Sequence, residues 1–143
     1  MKNENGVTIM ALIITITIMI LIVATVLYTA SGIDTEVEDD VLIAELKTIH
    51  HIVLQEYNKK ITLGNEYDYK GTVSTLEIFD NHSENLGITF EEKHDKYYTL
   101  IPDDLKALGA KNVSSEYLVC YETGEVANIS YYKTSDGEPL YTK

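Results

Sequence analysis

The chain has 143 residues, a formal net charge of −12, eleven cationic side chains that are all lysine, and a single cysteine. A chain this acidic repels a nucleic-acid backbone, and without arginine it lacks the planar fork that grips phosphate or carboxylate in two places. One cysteine, Cys120, rules out an internal disulfide, so a folded domain here is held by packing, with Cys120 as a small buried hydrophobe in an apolar run.

Residues 1–6, MKNENG, form a short polar leader, and from Val7 to Ala30 the chain carries no charge and no proline. Helical, that stretch is about 36 Å long, enough to cross a hydrocarbon core of about 30 Å. Local preference alone favours a strand over Leu12 to Ile18 (LIITITI), because β-branched residues dominate. Lipid reverses that preference, since a lone strand leaves its backbone groups unpaired and a helix satisfies them within one segment. Threonine hydroxyls bond back to carbonyls one turn earlier and do not forbid insertion. The expectation is a transmembrane helix over 7–30. Thr8, Ala11, Thr15, Ile18, Ile22, Thr25 and Thr29 fall on one stripe of it, mostly of small residues. The stripe reads either as a helix–helix seam or as a by-product of threonine-rich composition. Lys2 flanks the helix on one side and Glu36, Glu38, Asp39 and Asp40 on the other. Charge therefore puts the N-terminus in the cytoplasm and the rest of a single-pass protein outside the cell membrane.

A cleaved signal peptide fits poorly: the apolar run is too long, and Tyr28 stands where a small residue is needed ahead of Ala30. The order of polar leader, Gly6, Val-Thr-Ile-Met and long apolar helix instead resembles the type IV pilin and pseudopilin family. The resemblance implies a prepilin peptidase that cuts between Gly6 and Val7 and methylates the new amine of Val7. It also implies a long N-terminal helix packed on a small antiparallel sheet. The sequence departs from the family pattern at Ala11, where a glutamate is usual, and it lacks the proline often found in this helix.

Beyond Ala30, Ser31-Gly32 is a weak point, and Thr35 with Glu38 has capping-box spacing. Apolar periodicity then resumes at Leu42, Leu46, Ile49, Val53 and Tyr57, one face of an amphipathic helix. The expected element is a single helix over 7–60, kinked at most near Gly32. Its second half docks on a small extracytoplasmic domain, 61–143, too short to build a secure core alone. There, Thr62 to Thr72 reads as a loop. Ser74 to Glu84 reads as a short helix that buries Leu76 and Phe79 and stops at Gly87. Lys96 to Ile101 is a strand, and Pro102 to Leu108 a short helix closed by Gly109. Glu116 to Tyr121 and Val126 to Lys133 form a hairpin across Gly124, and Leu140-Tyr141 adds an edge strand behind Pro139. The fold class is α+β.

No phosphate loop, dinucleotide fingerprint, nucleophile elbow or zinc-protease helix is present, so no enzyme, cofactor or metal is expected. His50 and His51 diverge by about 100° on a helix and cannot share a metal. Packing or surface roles suffice for them, and His82 and His94 have no ligand-spaced partner. Asp103 and Asp104 suit a helix N-terminus. The acidic residues Glu36, Glu38, Asp39 and Asp40 leave calcium binding open as a minor alternative, and Asp136, Gly137 and Glu138 are a faint echo of a calcium loop without the ligand spacing of an EF-hand. In the tyrosine pairs Tyr97-Tyr98 and Tyr131-Tyr132, one member of each faces the core. The resemblance to the pilin and pseudopilin family therefore implies a filament subunit whose partners are other pilin-like subunits, the peptidase, an assembly platform with its motor ATPase, and the bilayer. The alternative is an uncleaved single-pass anchor that displays a binding or sensor domain.

Overall fold

The computed structural model describes the backbone of residues 4–143 and the side chains of residues 9–26 and 38–143. Contacts divide the chain into two units, Met1–Glu38 and Asp39–Lys143. Helix α1, Glu4–Leu63, contributes to both, and Ser31 and Gly32 lie within it. The fold is α+β: a long helix with an apolar N-terminal part, further helices, and an open five-stranded antiparallel sheet.

In the first unit, Ile9–Val26 has a mean hydropathy of 2.9 and is long and apolar enough to span a membrane. Three threonines return their hydroxyls to the helix: Thr15 to the Ala11 carbonyl at 2.7 Å, Thr17 to Ile13 at 2.8 Å and Thr25 to Ile22 at 2.8 Å. This is the local bonding that lets a threonine-rich segment stay helical in an apolar medium.

In the second unit the sheet order is β1 (Thr72–Val73), β2 (Tyr97–Leu100), β3 (Tyr117–Cys120), β4 (Val126–Asn128), β5 (Tyr141–Thr142). Every neighbouring pair is antiparallel. Helix α1 covers one face. Its Leu46, Ile49 and Val53 pack with Leu100, Tyr117, Val119, Tyr121 and Val126, and Leu105 of α3 (Pro102–Ala107) closes that core. The middle of the expected stripe is thus the docking face, with Leu46, Ile49 and Val53 at most 5% exposed, while its ends, Leu42 and Tyr57, are only partly buried. A second core fills the opposite face, where Leu86 of α2 (Leu76–Leu86) and Phe90 meet Tyr97, Leu118, Cys120 and Ala127. With helices on both sides, β3 is buried at every position and reads as a continuous apolar run rather than an alternating one.

Several expectations need correction. Leu76 is 57% exposed, and the side chain that anchors α2 is Leu86. Leu76 stands in the first turn at the outer rim of α2, whereas Phe79 and Leu86 are two turns apart on the inward face. Gly87 does end α2, in the left-handed conformation at φ 70°. The stretch 62–72 is not all loop. Helix α1 runs to Leu63, a 3₁₀ turn follows over Gly64–Glu66, and Thr72 opens β1. The strand expected over 126–133 stops at Asn128. The Asn128 carboxamide oxygen accepts the backbone N–H groups of Ser130 and Tyr131, both at 3.0 Å, and this local turn outcompetes the β ladder. Tyr132 then takes a left-handed φ of 63°. The chain returns over Lys133–Pro139, and the edge strand is Tyr141–Thr142, one residue later than expected.

Candidate functional surfaces

The most distinctive surface is the apolar helix. Thirteen large apolar side chains between Ile9 and Val26 are 49–69% exposed. At about 1.5–3 kcal/mol for each side chain moved from water into an apolar setting, covering them is worth tens of kcal/mol. Covering them is strongly favourable, and the segment is long and apolar enough to cross a membrane. Within the stripe, Ala11, Thr15, Ile18, Ile22 and Thr25 are exposed like every other residue from Ile9 to Val26, so the chain itself does not set the stripe apart. Thr8 and Thr29, and the expected cleavage-site residues Gly6 and Val7, fall outside the residues whose side chains are described.

In the folded unit the polar groups that most resemble a site are structural ties. Glu125 immediately precedes β4 and is 0% exposed. Its carboxylate accepts from Thr123 Oγ1 at 2.7 Å, from the Tyr141 hydroxyl at 2.8 Å, from the Glu91 N–H at 3.3 Å and from the Tyr97 hydroxyl. Burial pushes Glu125 up, but these donors outweigh it and hold the carboxyl below its usual range. Burial and the same carboxylate raise Tyr97 and Tyr141. Both oxygens are engaged, so Glu125 fastens β2, β5 and the loop after α2 to one point and presents no free acceptor to a substrate.

On the other face, Tyr117 donates to Glu45 Oε1 of α1 at 2.8 Å, and Asn128 Nδ2 donates to the Tyr117 oxygen at 3.3 Å. Burial, and then Glu45, raise Tyr117. Glu56 of α1 is 2% exposed; Lys59 holds its Oε1 at 2.5 Å, and its Oε2 is buried without a partner. Asp39 takes the Ser135 N–H on both oxygens at 3.1 Å, with the Ser135 hydroxyl added, and so ties the loop before β5 to α1. None of these roles was visible in the sequence, where Glu125 reads as a turn residue and Asp39 as one of the charges flanking the apolar helix. The one available signal was that Glu56 stands three and seven residues from Val53 and Ile49, on the same helical face.

The histidines hold structural places. His50 Nδ1 lies 2.9 Å from the Gly124 carbonyl, which only accepts, so Nδ1 carries the proton. His82 Nδ1 is 2.9 Å from the Tyr132 hydroxyl, and burial lowers the His82 pKa against a weaker upward pull from Glu116. His51 is exposed, and His94 is half-buried beside Phe79. Among the described residues no three His, Cys, Asp or Glu side chains converge as a metal would need. Asp104 accepts the Ile101 N–H at 3.3 Å at the start of α3. Cys120 is a buried free thiol. Tyr97 is fully buried and Tyr98 half-buried, while Tyr131 is 59% exposed and Tyr132 half-buried. No protein-family model, curated protein or solved structure matches the chain.

Proposed function

We propose that this chain is a type IV pilin-like or pseudopilin subunit, a structural protein rather than an enzyme. It is made as a membrane precursor, cut after Gly6, methylated on Val7, and built through its apolar helix into a filament of the pilus or type II secretion kind outside the membrane. A prepilin peptidase, a membrane platform and a motor ATPase act on it. The observation that carries this reading is the exposed apolar helix Ile9–Val26, joined in one continuous α1 to a packed α+β unit. A segment that is apolar on every face suits two environments in turn: lipid before assembly, and neighbouring helices after it. The polar leader ending at Gly6 adds the processing step.

Intact-mass measurement on protein from its native cells tests the reading. The expected species begins at Val7 and carries one added methyl group, and Gly6→Val, which crowds the peptidase site, leaves the leader on. A full-length mass in cells with an active prepilin peptidase would instead identify an uncleaved anchor that displays its domain.

A further inference from the structure

The last strand, β5, is short, lies at the sheet edge, and hangs by its side chains on two carboxylates. It comprises Tyr141 and Thr142, and β4 is its neighbour in the sheet. The Tyr141 hydroxyl donates to Glu125 Oε1 at 2.8 Å, and Lys143 pairs with Glu91. The same oxygen of Glu125 takes the Glu91 N–H at 3.3 Å, while Oε2 takes the hydroxyls of Thr123 and Tyr97. The titratable groups beyond these are Cys120 of β3, whose N–H donates to the Glu125 carbonyl at 2.9 Å, and Glu92, paired with Lys96 at 3.3 Å. Lys143 acts on Glu125 directly, and its charge favours the ionised carboxylate.

A neutral Glu125 cannot keep all of its donors. Its new O–H needs an acceptor where only donors point, and one oxygen is lost as an acceptor. Freedom to move decides which donor leaves. Tyr97 is fully buried in β2 between β1 and β3, Thr123 belongs to the turn that carries Glu125, and the Glu91 N–H is main chain. Tyr141 is half-buried on a two-residue edge strand. We propose that Glu125 is an acid-operated latch: its protonation frees Tyr141 and lets β5 peel from β4, while the other strands stay paired. Peeling carries Lys143 away from Glu91 and Glu125, so release and protonation reinforce each other. It bares the outer edge of β4, Val126–Asn128, which is buried at every position, and so creates an open strand edge. The converging donors hold the Glu125 carboxyl below its usual range, so the latch is shut at neutral pH and opens below about pH 4.3. The latch goes beyond the filament reading and does not depend on it.

Backbone amide exchange, read residue by residue by NMR on the full-length chain in detergent micelles, tests the latch, with each rate taken against that of a free amide at the same pH. The Asn128 N–H donates to the Leu140 carbonyl at 2.9 Å, so by the alternation of an antiparallel ladder the Val126 N–H also faces β5, opposite Thr142. The Ile129 N–H donates to the Glu116 carbonyl at 3.0 Å and faces the other way, towards β3. From about pH 6 to about pH 3, protection at Val126 should fall about tenfold or more, the worth of one hydrogen bond to a charged group, while Ile129 keeps its protection. Tyr141→Phe removes only the β5 donor. It should lower Val126 protection already at about pH 6 and leave little further change on acidification, and Glu125→Gln should do the same. Val126 protection that holds across the whole range overturns the latch. So does wild type in which Val126 and Ile129 lose protection together, or a Tyr141→Phe chain that responds to acid as wild type does.

Discussion

At the scale of single residues, the fold rests on carboxylates that the sequence presents as surface charges. Glu125 is ionised in the folded state below the usual carboxylate range, because three hydroxyls and one N–H outweigh the cost of burying it. A group whose folded pKa is depressed contributes stability above its unfolded value of about 4.3, and that contribution is lost as pH falls through the folded value. Denaturant melts taken between pH 6 and pH 3 should therefore show stability draining away below about pH 4.3, and Glu125→Gln should flatten that dependence. Glu125→Ala should be worse at every pH, by several kcal/mol, because it strands the buried Tyr97 hydroxyl and half-buried Tyr141 at about 1–3 kcal/mol each. Glu56 predicts the opposite sign. It is buried with one oxygen unpartnered, and a buried carboxylate held by a single half-exposed lysine returns less than its desolvation costs. Glu56→Met should raise stability by about 1 kcal/mol in the same melts, and a loss of that size would show that the Lys59 pair is worth more than its burial costs. Both residues were opaque to sequence reading for one reason: composition classes glutamate as solvent-facing, while hydroxyl partners come from strands and loops far along the chain. The apolar residues were legible because burial is what their side chains ask for. Leu46, Ile49, Val53 and Cys120 are all buried as expected.

At the scale of elements, the second half of α1 is part of the domain's core. Its Leu46, Ile49 and Val53 supply one wall of the larger cluster, and Tyr117 bonds across to Glu45. Leu46→Ala or Ile49→Ala should each cost about 2–5 kcal/mol, comparable to the whole stability of so small a domain. A fragment beginning at Thr35 should fold, and one beginning at Ile61 should not. A dispersed amide spectrum and protease resistance in the shorter fragment would show that the sheet stands without α1. The pattern that revealed this helix is periodic and local, and so are the turn at Gly124 and the stop at Gly87. The parts that escaped depend on competition between distant partners. Strand β1 exists because Thr72 and Val73 pair with Thr99 and Tyr98 of β2, far along the chain, and two residues carry no pattern of their own. Strand β4 ends early because Asn128 bonds its own following backbone, a contest between side chain and ladder that β-propensity does not score. The second covered face of the sheet escaped as well. The inward residues of α2, Phe79 and Leu86, are separated by polar ones and make a thin stripe.

At the scale of the whole molecule, the chain joins a packed α+β unit to a segment long and apolar enough to cross a membrane, and Ala11 lies in that segment. In the family the sequence resembles, a glutamate at this place pairs with the N-terminal amine of a neighbouring subunit as the helix enters the filament. A carboxylate at bilayer depth costs up to about 2.5–3.5 kcal/mol, so it is retained there only with a partner. Ala11 avoids that cost and forgoes the pairing. Its side chain is one small apolar group among the exposed residues of Ile9–Val26, with the Thr15 hydroxyl bonded to its carbonyl at 2.7 Å. In the proposed filament subunit, the cut between Gly6 and Val7 would depend mainly on the glycine, so Ala11→Glu should leave processing unchanged. Recruitment should change, because on the proposed reading the wild-type subunit would be held by apolar and small-residue contacts along the helix, without an ion pair to draw it in. The expected role is that of a minor or tip-proximal subunit, or of a filament cemented by helix packing. Expressed with its own machinery, wild type and Ala11→Glu should yield equal amounts of mature protein by intact mass, and different amounts in the sheared filament fraction. If wild type builds abundant homopolymer and Ala11→Glu leaves that fraction unchanged, the missing ion pair has no part in assembly and the minor-subunit role is lost with it.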